Sequence, residues 1–445
     1  MFKSKIFRAS VILGIFSFAA SAMGLLRDRV FASQFGASRT LDIYYSAFKI
    51  PDLIFNLFIL GAVSAAFIPV FIRQYRTDEK KAWDVTRNFL NIALTAVVVS
   101  CGIMILFIRP LAALVAPGFS GADRESVIQL MRLMLLSPII FSVSTIIGSA
   151  LQALERFWAF AIAPILYNLG IIVGAFYFVP IMRAHGYQEV LGLGLGVIFG
   201  ALMHLSVQLV ASWRAGFRFG PIFDFSDHNF RDILKLMIPR TVGLGAFSID
   251  SAIINALASM LGAGSIAMLN FANNLQSVPI SVVGISVAIV IFPRLSFHAS
   301  GNEKEEFKKK LNYALKTTAL IVTAGAVVLF LLSEWVIRLL FGVGLFHGQN
   351  ITITAGILSL YMLGVTAQSL IPILSRAFYA LHNTKIPVIT SVIAIAVNLS
   401  LASLFTFYFN WDVRGLALAF AIAGNVNFIL LWLAFTRFFK RDIVV

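Results

Sequence analysis

Cysteine and histidine are scarce in this chain of 445 residues: one Cys, at 101, and six His. A lone cysteine cannot close an intrachain disulfide, and inside an apolar block Cys101 reads as a small buried hydrophobe. The histidines are scattered, with no HExxH or CxxC spacing, so no metal site is expected. GxSxG, a P-loop and a GxGxxG after a strand are also missing. Without a nucleophile, base or metal constellation the chain does not read as an enzyme. Charge is the other shortage: 12% of residues are charged, where a soluble chain carries roughly a quarter.

What is present is apolar surface. Hydrophobic residues make up 59% of the chain, 42 residues are Phe, and mean hydropathy is +0.91. A water-soluble fold cannot hide this much apolar side chain, because its surface must stay wetted. A bilayer removes that limit, provided helices satisfy their own backbone groups. The net charge is +15. No basic stripe interleaved with aromatics lies outside the apolar blocks, so nucleic-acid binding is set aside and the positive-inside rule accounts for the charge. The N-terminus MFKSKIFRASVILGIFSFAASAMG is superficially like a signal peptide. Its apolar stretch runs on into a long helix, so a retained first span is expected.

Crossing about 30 Å of hydrocarbon takes about 20 residues. Breaks at charge clusters and Pro/Gly turns predict spans over 8–35, 40–72, 86–108, 124–153, 157–182 and 188–213. A second set is predicted over 230–261, 264–296, 307–341, 351–381, 385–409 and 413–438. Alternate loops are rich in Lys and Arg (Lys3, Lys5, Arg8; Arg73, Arg76, Lys80, Lys81; Lys304, Lys308, Lys309, Lys310; Lys440, Arg441), which places both termini in the cytoplasm.

The halves resemble each other. ASQFGASRTLDIYYSAFKIP (32–51) aligns with ASMLGAGSIAMLNFANNLQSVP (258–279), and SALQALERFWAFAIAPILYNL (149–169) with SRAFYALHNTKIPVITSVIAIAVNL (375–399). Both offsets are close to 226 residues. The fold class expected is therefore an all-α integral membrane protein. About twelve transmembrane helices form two six-helix lobes, related by a pseudo-two-fold axis along the membrane normal. The N-terminal lobe is 1–213, a cytoplasmic linker 214–229 is Gly/Pro/Asp-rich and basic, and the C-terminal lobe is 230–445. A substrate site is expected where the halves meet.

Ionisable groups inside apolar spans cost several kcal/mol unless they face water or a partner. The first span carries Arg27, Asp28 and Arg29, and the second Asp42, Lys49 and Asp52 around the helix-bending Pro51. Asp42 and Lys49 are seven apart, on one helical face. The seventh carries Arg240 and Asp250, the eighth Asn270, Asn273, Asn274 and Gln276 before Pro279, and the tenth Arg376. Each has a plainer reading. Arg27 and Asp28 can simply pair, as can Asp42 and Lys49. Arg29 can snorkel. Arg240 and Arg376 can anchor an interface, and the amides can bind helix to helix. Asp250 stands apart from other charges in the sequence, and a lone carboxylate needs a proton or a cation, so Na⁺ or H⁺ coupling is assigned to it. No other cofactor is expected.

The run GLLRDRVFASQFGASRTLDIYYSAFKIPDLIFNLFILGAVSAAFIPVF resembles the signature of the MurJ (MviN) family. Those are lipid II flippases of the MOP exporter superfamily. APGF at 116–119, ERFWAFAIAPILYNLG at 155–170, NLQSVPISVVGISVAIVIFPRLS at 274–296 and LSRAFYALHNTKIPV at 374–388 extend the likeness over almost the whole chain. The resemblance implies a MOP/MATE-like fold in the bacterial inner membrane. It also implies movement of undecaprenyl-pyrophosphate-linked peptidoglycan precursor from the cytoplasmic to the outer leaflet, by alternating access around a cationic cavity. Arg27 and Asp28 match the family's Arg-Asp pair, and Asp42 its acidic position in the second span. Lys49, Arg240, Arg376 and the amides of Asn273 and Asn274 complete the expected substrate set. Implied partners are the lipid-linked precursor, membrane lipids and cell-wall synthesis proteins.

The departures are specific. Ser21 stands where the family has an arginine, Phe55 and Asn56 replace an arginine pair, Asn273 and Asn274 replace Asp-Arg, and Leu60 replaces a Glu. Family members commonly have fourteen helices; about twelve are read here. An arginine-to-amide exchange removes both charge and a bidentate clamp. Two further readings therefore stay open: a cation-coupled exporter of small amphipathic compounds, and a non-transporting scaffold for cell-wall synthesis.

Overall fold

The computed structural model describes residues 2–60, 66–301 and 303–441, with the side chains of 2–14, 17, 60, 238–240, 242, 243, 440 and 441 left aside. No strand occurs among the described residues. Nine helices or stacked helices among them are long and apolar enough to cross a membrane. Among the described residues the predicted spans are helical apart from a few residues at breaks and ends, and the differences lie in where spans are interrupted.

The first span is α1 (Phe2–Phe35). The second, predicted as one helix, is instead α2 (Arg39–Ala47), α3 (Lys49–Phe55), a π-helical turn over Asn56–Leu60 and, beyond it, α4 (Ile68–Tyr75). Then come α5 (Glu79–Leu106), α6 (Ile108–Val115), α7 (Gly121–Met134) and α8 (Leu136–Ala153). A proline explains three of these breaks. Proline has no N–H for the carbonyl four residues back. Pro51, Pro110 and Pro138 each stand four residues after the last residue of the preceding helix: Ala47, Leu106 and Met134.

The next helices are α9 (Phe157–Val173), a π turn over Gly174–Phe178, α10 (Val179–Ala184) and α11 (Glu189–Trp213). Glycines let α9 and α11 touch backbone to backbone, as small residues do where helices pack in membranes. A Cβ on Gly174 would sit 2.5 Å from the Cα of Gly196, and Gly170 faces Gly200 in the same way.

The segment after α11 is strapped down. Asn88 on α5 donates to the Asp224 carbonyl at 2.8 Å and accepts from its N–H at 2.7 Å, while Asn91 donates to Gly220 and Ile222 carbonyls. The following helix, α12 (His228–Ser259), is tied to α4 where Arg73 meets Asp232 at 3.0 Å and Gln74 meets Asn229 at 2.8 Å. These ties carry α12 into the first compact unit, Met1–Ala256; the second is Leu257–Val445. The 214–229 linker thus does not separate the two packing units, whatever its place in the duplication.

The second unit opens with α13 (Ser265–Pro279), a π turn over Ile280–Ile285 and α14 (Ser286–Ser300). Pro279 leaves the Leu275 carbonyl without its donor, and the ladder widens into the π turn that follows. α15 (Lys304–Leu331), α16 (Ser333–Phe341), α17 (Gln349–Ala380), α18 (Lys385–Phe407) and α19 (Arg414–Arg441) complete it. α17 is the hub, packing on α13, α14, α15, α16 and α19. Its Phe378 is buried with Phe307 and Phe435.

The duplication has a backbone signature. α8 and α17 end in the same turn, in which a non-glycine residue takes a left-handed conformation: Glu155 (φ 59°) and His382 (φ 56°), 227 positions apart. In both, the next N–H reaches five residues back, Arg156 to Leu151 and Asn383 to Phe378, each at 2.9 Å.

The glycine contact yields a test. Gly174→Val forces α9 off α11 and should cost about 1–3 kcal/mol, read as a lower thermal midpoint in detergent. Gly102→Val, with nothing within 4 Å of a new Cβ, should leave the midpoint unchanged.

Candidate functional site

Arg27 lies late in α1, after the long apolar run, and each of its three guanidinium nitrogens makes one hydrogen bond, which leaves N–H donors to spare. Nε and Nη2 donate to Asp28 Oδ1 at 3.0 and 2.8 Å, and Nη1 donates to Asn168 Oδ1 on α9 at 3.1 Å. Asn168 is held by its own bond to the Pro164 carbonyl at 3.0 Å. The guanidinium carbon lies 6.0 Å from the Phe31 ring centroid. Asp28 is 1% exposed and Arg27 20%, so the anion is buried and the cation is its accessible face. A planar fork fixed by a carboxylate and an amide is pre-organised, with little freedom left to lose on meeting a ligand. Arg29, on the same helix, is exposed.

The acid and base of the second span separate. Asp42 is buried beside Arg39 at 3.8 Å, and Arg39 also meets Asp123 at 3.4 Å with its guanidinium 4.5 Å from the Phe119 ring centroid. Arg39, rather than Lys49, is the cation the structure brings to Asp42. Lys49 opens α3 and donates to Ser251 Oγ on α12 at 3.0 Å. One turn further, the exposed Asp52 lines a cavity of about 210 Å³ with Phe55, Phe141 and Tyr167. Phe55 packs its ring 5.9 Å from Phe141, which lies 5.1 Å from Tyr167. Asn56 donates to Ser248 Oγ on α12 at 3.0 Å. The two positions that depart from the family's arginine pair thus take part in a cluster of tilted and edge-on aromatic rings and in an amide-to-hydroxyl hydrogen bond between helices. Deeper along α12, Asn255 donates to Ser46 Oγ and the Val115 carbonyl, each at 3.0 Å.

Asp250 is 6% exposed and is engaged with another group of the protein. The side chain of Arg240 lies outside the described residues. In the second unit Asn273 is exposed and Asn274 half-buried and engaged. Gln276 donates to Gln368 Oε1 at 3.1 Å, the helix-binding role open to these amides. Arg376 donates to the Ile285 carbonyl of the π turn at 3.4 Å.

Sequence reasoning passed over Asn168, Ser248, Ser251 and Asn255. Their partners are more than a hundred residues away, and neutral amides and hydroxyls on apolar helices announce nothing. Asp52 was seen, but its spacing of three from Lys49, one turn of helix, was the signal left unused.

Residues 31–443 match the family model "Lipid II flippase MurJ". The chain belongs to the MurJ family. It is 30% identical over 441 residues to a probable lipid II flippase MurJ of Buchnera aphidicola (subsp. Acyrthosiphon pisum), covering 98% of this chain and 84% of that one. It is 27% identical to the probable lipid II flippase MurJ of Treponema pallidum, over 98% and 82% of the two chains. A solved lipid II flippase MurJ in an inward closed conformation superposes with a TM-score of 0.79 at 26% identity, covering 96% of this chain and 87% of that one. A multidrug resistance MATE transporter of the MOP superfamily, inward-facing, gives 0.76 at 16% identity over 97% and 98% of the chains, a likeness of fold alone. Asn168 falls within the residues that match the family model, and Arg27 and Asp28 precede them.

The network makes a thermodynamic prediction. Arg27→Ala deprives a buried carboxylate of its guanidinium and should cost on the order of 3–5 kcal/mol. Arg27→Ala combined with Asp28→Ala should cost clearly less than the two single changes summed, in denaturation of the detergent-solubilised protein. Additive losses would mean the two side chains do not act as a pair.

Proposed function

We propose that this MurJ-family chain moves lipid II, the lipid-linked peptidoglycan precursor, across the bacterial inner membrane by alternating access. Arg27 supports the reading most directly: a cation inside an apolar helix, held rigid by Asp28 and Asn168. A diphosphate headgroup needs positive charge and N–H donors in a site of low dielectric. Arg27 supplies the clamp on one side of the first unit. Lys49 adds a second charge, hydrogen-bonded to the Ser251 hydroxyl with the Asp52 carboxylate one turn along the helix.

The headgroup travels along a hydrated path past these residues while the polyprenyl tail stays in lipid. Asn273, Asn274, Arg240 and Arg376 are further candidates for headgroup contact, and the buried Asp250 is the candidate for coupling to Na⁺ or H⁺. The proposed step breaks no covalent bond. The distribution of basic loops supports both termini lying in the cytoplasm. Cell-wall synthesis proteins that make or consume the lipid are the partners this reading implies.

The test is translocation of fluorescent lipid II in proteoliposomes. Wild type should move it, and Lys49→Ala should slow it about tenfold, the order expected for losing one charge-assisted contact. Lys49→Arg should restore most of the rate. A wild-type protein that moves no lipid II removes the proposal, and one that moves it equally well as Lys49→Ala removes Lys49 from it.

A further inference from the structure

A second cavity lies wholly in the second unit, far in sequence from Arg27. It has a volume of about 510 Å³ and sits between α14 and α15, two helices joined by a short turn. This is within the roughly 300–1,000 Å³ of small-ligand sites.

Its lining is sorted along the helix axes. On α14, Val290 and Ile291 come a turn before Arg294, and Arg294 is nearer the connecting turn. On α15, Lys309 and Lys310 come first, and Ala314 lies one turn further from the connection. The cavity is therefore cationic towards the turn and mainly apolar away from it, where Val287, Val290, Ile291 and Ala314 line it and only the hydroxyls of Ser286 and Thr317 are polar. Lys309 is also paired with Glu306 at 3.3 Å. Arg294 and Lys310 have no carboxylate partner among the described residues, and no carboxylate lines the cavity. Tyr313, on its wall, is largely exposed.

Both helices belong to apolar, membrane-length segments, Ser265–Ser300 and Lys304–Leu331. The connecting turn then marks the membrane boundary, and the cavity's polarity runs from headgroup layer to hydrocarbon. That gradient matches one molecule best: a phospholipid with an anionic head. A free phosphate has no use for the apolar half. A zwitterionic lipid brings a choline or ethanolamine cation against Arg294 and Lys310.

We infer that the α14–α15 cavity holds an anionic diacyl phospholipid, its phosphate between Arg294 and Lys310 and an acyl chain along Val290, Ile291 and Ala314. The lipid would wedge the two helices together at the boundary. This site is separate from the Arg27 network and is occupied whether or not the chain carries lipid II.

The test is native mass spectrometry of the full chain, equilibrated with dioleoylphosphatidylglycerol or dioleoylphosphatidylcholine. The wild type should retain one phosphatidylglycerol in preference to phosphatidylcholine. Arg294→Ala with Lys310→Ala should reduce that preference by about fivefold per charge removed, whereas Arg294→Lys should keep it. Val290→Trp, which fills the apolar half from its exposed rim, should release the phosphatidylglycerol while leaving every charge in place. Equal retention of the two lipids by the wild type overturns the proposal, as does full retention by the double variant. Displacement of the lipid by glycerol phosphate at comparable concentration would reassign the site to a free phosphate and overturns it too. Lipid II translocation by the double variant at the wild-type rate is expected, and separates this site from the transport path.

Discussion

A charge placed in a membrane helix must be held by something other than lipid, and in the first unit that requirement organises the packing. Arg27 does not stand alone: Asp28 neutralises it, Asn168 fixes its third edge, and Asn168 is fixed in turn by the backbone of α9. α1 and α9 are therefore in register through a polar contact, where apolar packing alone would let one helix slide on the other. The same rule applies to α12. Ser248, Ser251 and Asn255, on one side of the helix, each meet a polar group of the second span. These contacts place α12 with the helices before it.

Around these polar ties, glycine and proline set the shape. Glycines on α9 and α11 remove the side chains that would hold the backbones apart. Prolines interrupt the second, third and fourth spans at definable points, because each withdraws a donor from one carbonyl. The π turns after Asn56 and at Ile280 fall in the two stretches of the chain where polar residues gather. Arg376 donates to the Ile285 carbonyl of the second of these turns. Irregular backbone in an apolar helix survives where other protein groups satisfy it.

Most of the architecture was legible from composition and hydropathy. Helix ends at Phe35, Ala153 and Trp213 fall at the last residue of the predicted spans. The repeat read at an offset near 226 reappears as matching turns at Glu155 and His382. Interruptions inside spans were less legible, because apolar periodicity continues across them and only the prolines mark the places. The site was half legible. Charged residues in apolar runs named Arg27, Asp28, Asp42 and Lys49, but a sequence does not say which cation answers which acid. Arg39 reaches Asp42 because it is one turn away at the start of α2, and Lys49 turns instead to Ser251. Contacts made by neutral side chains across long sequence separations were invisible.

The account rests on Lys49 and Arg27 facing water inside the membrane, not lipid. Cysteine accessibility measures this directly, since the natural Cys101 is buried and can be replaced by alanine. In that background Lys49→Cys should react with a charged, membrane-impermeant thiosulfonate in intact membranes, and lipid II should slow the reaction. Reaction only with a membrane-permeant maleimide, unaffected by lipid II, would place position 49 in a dry or lipid-facing setting and contradict the account.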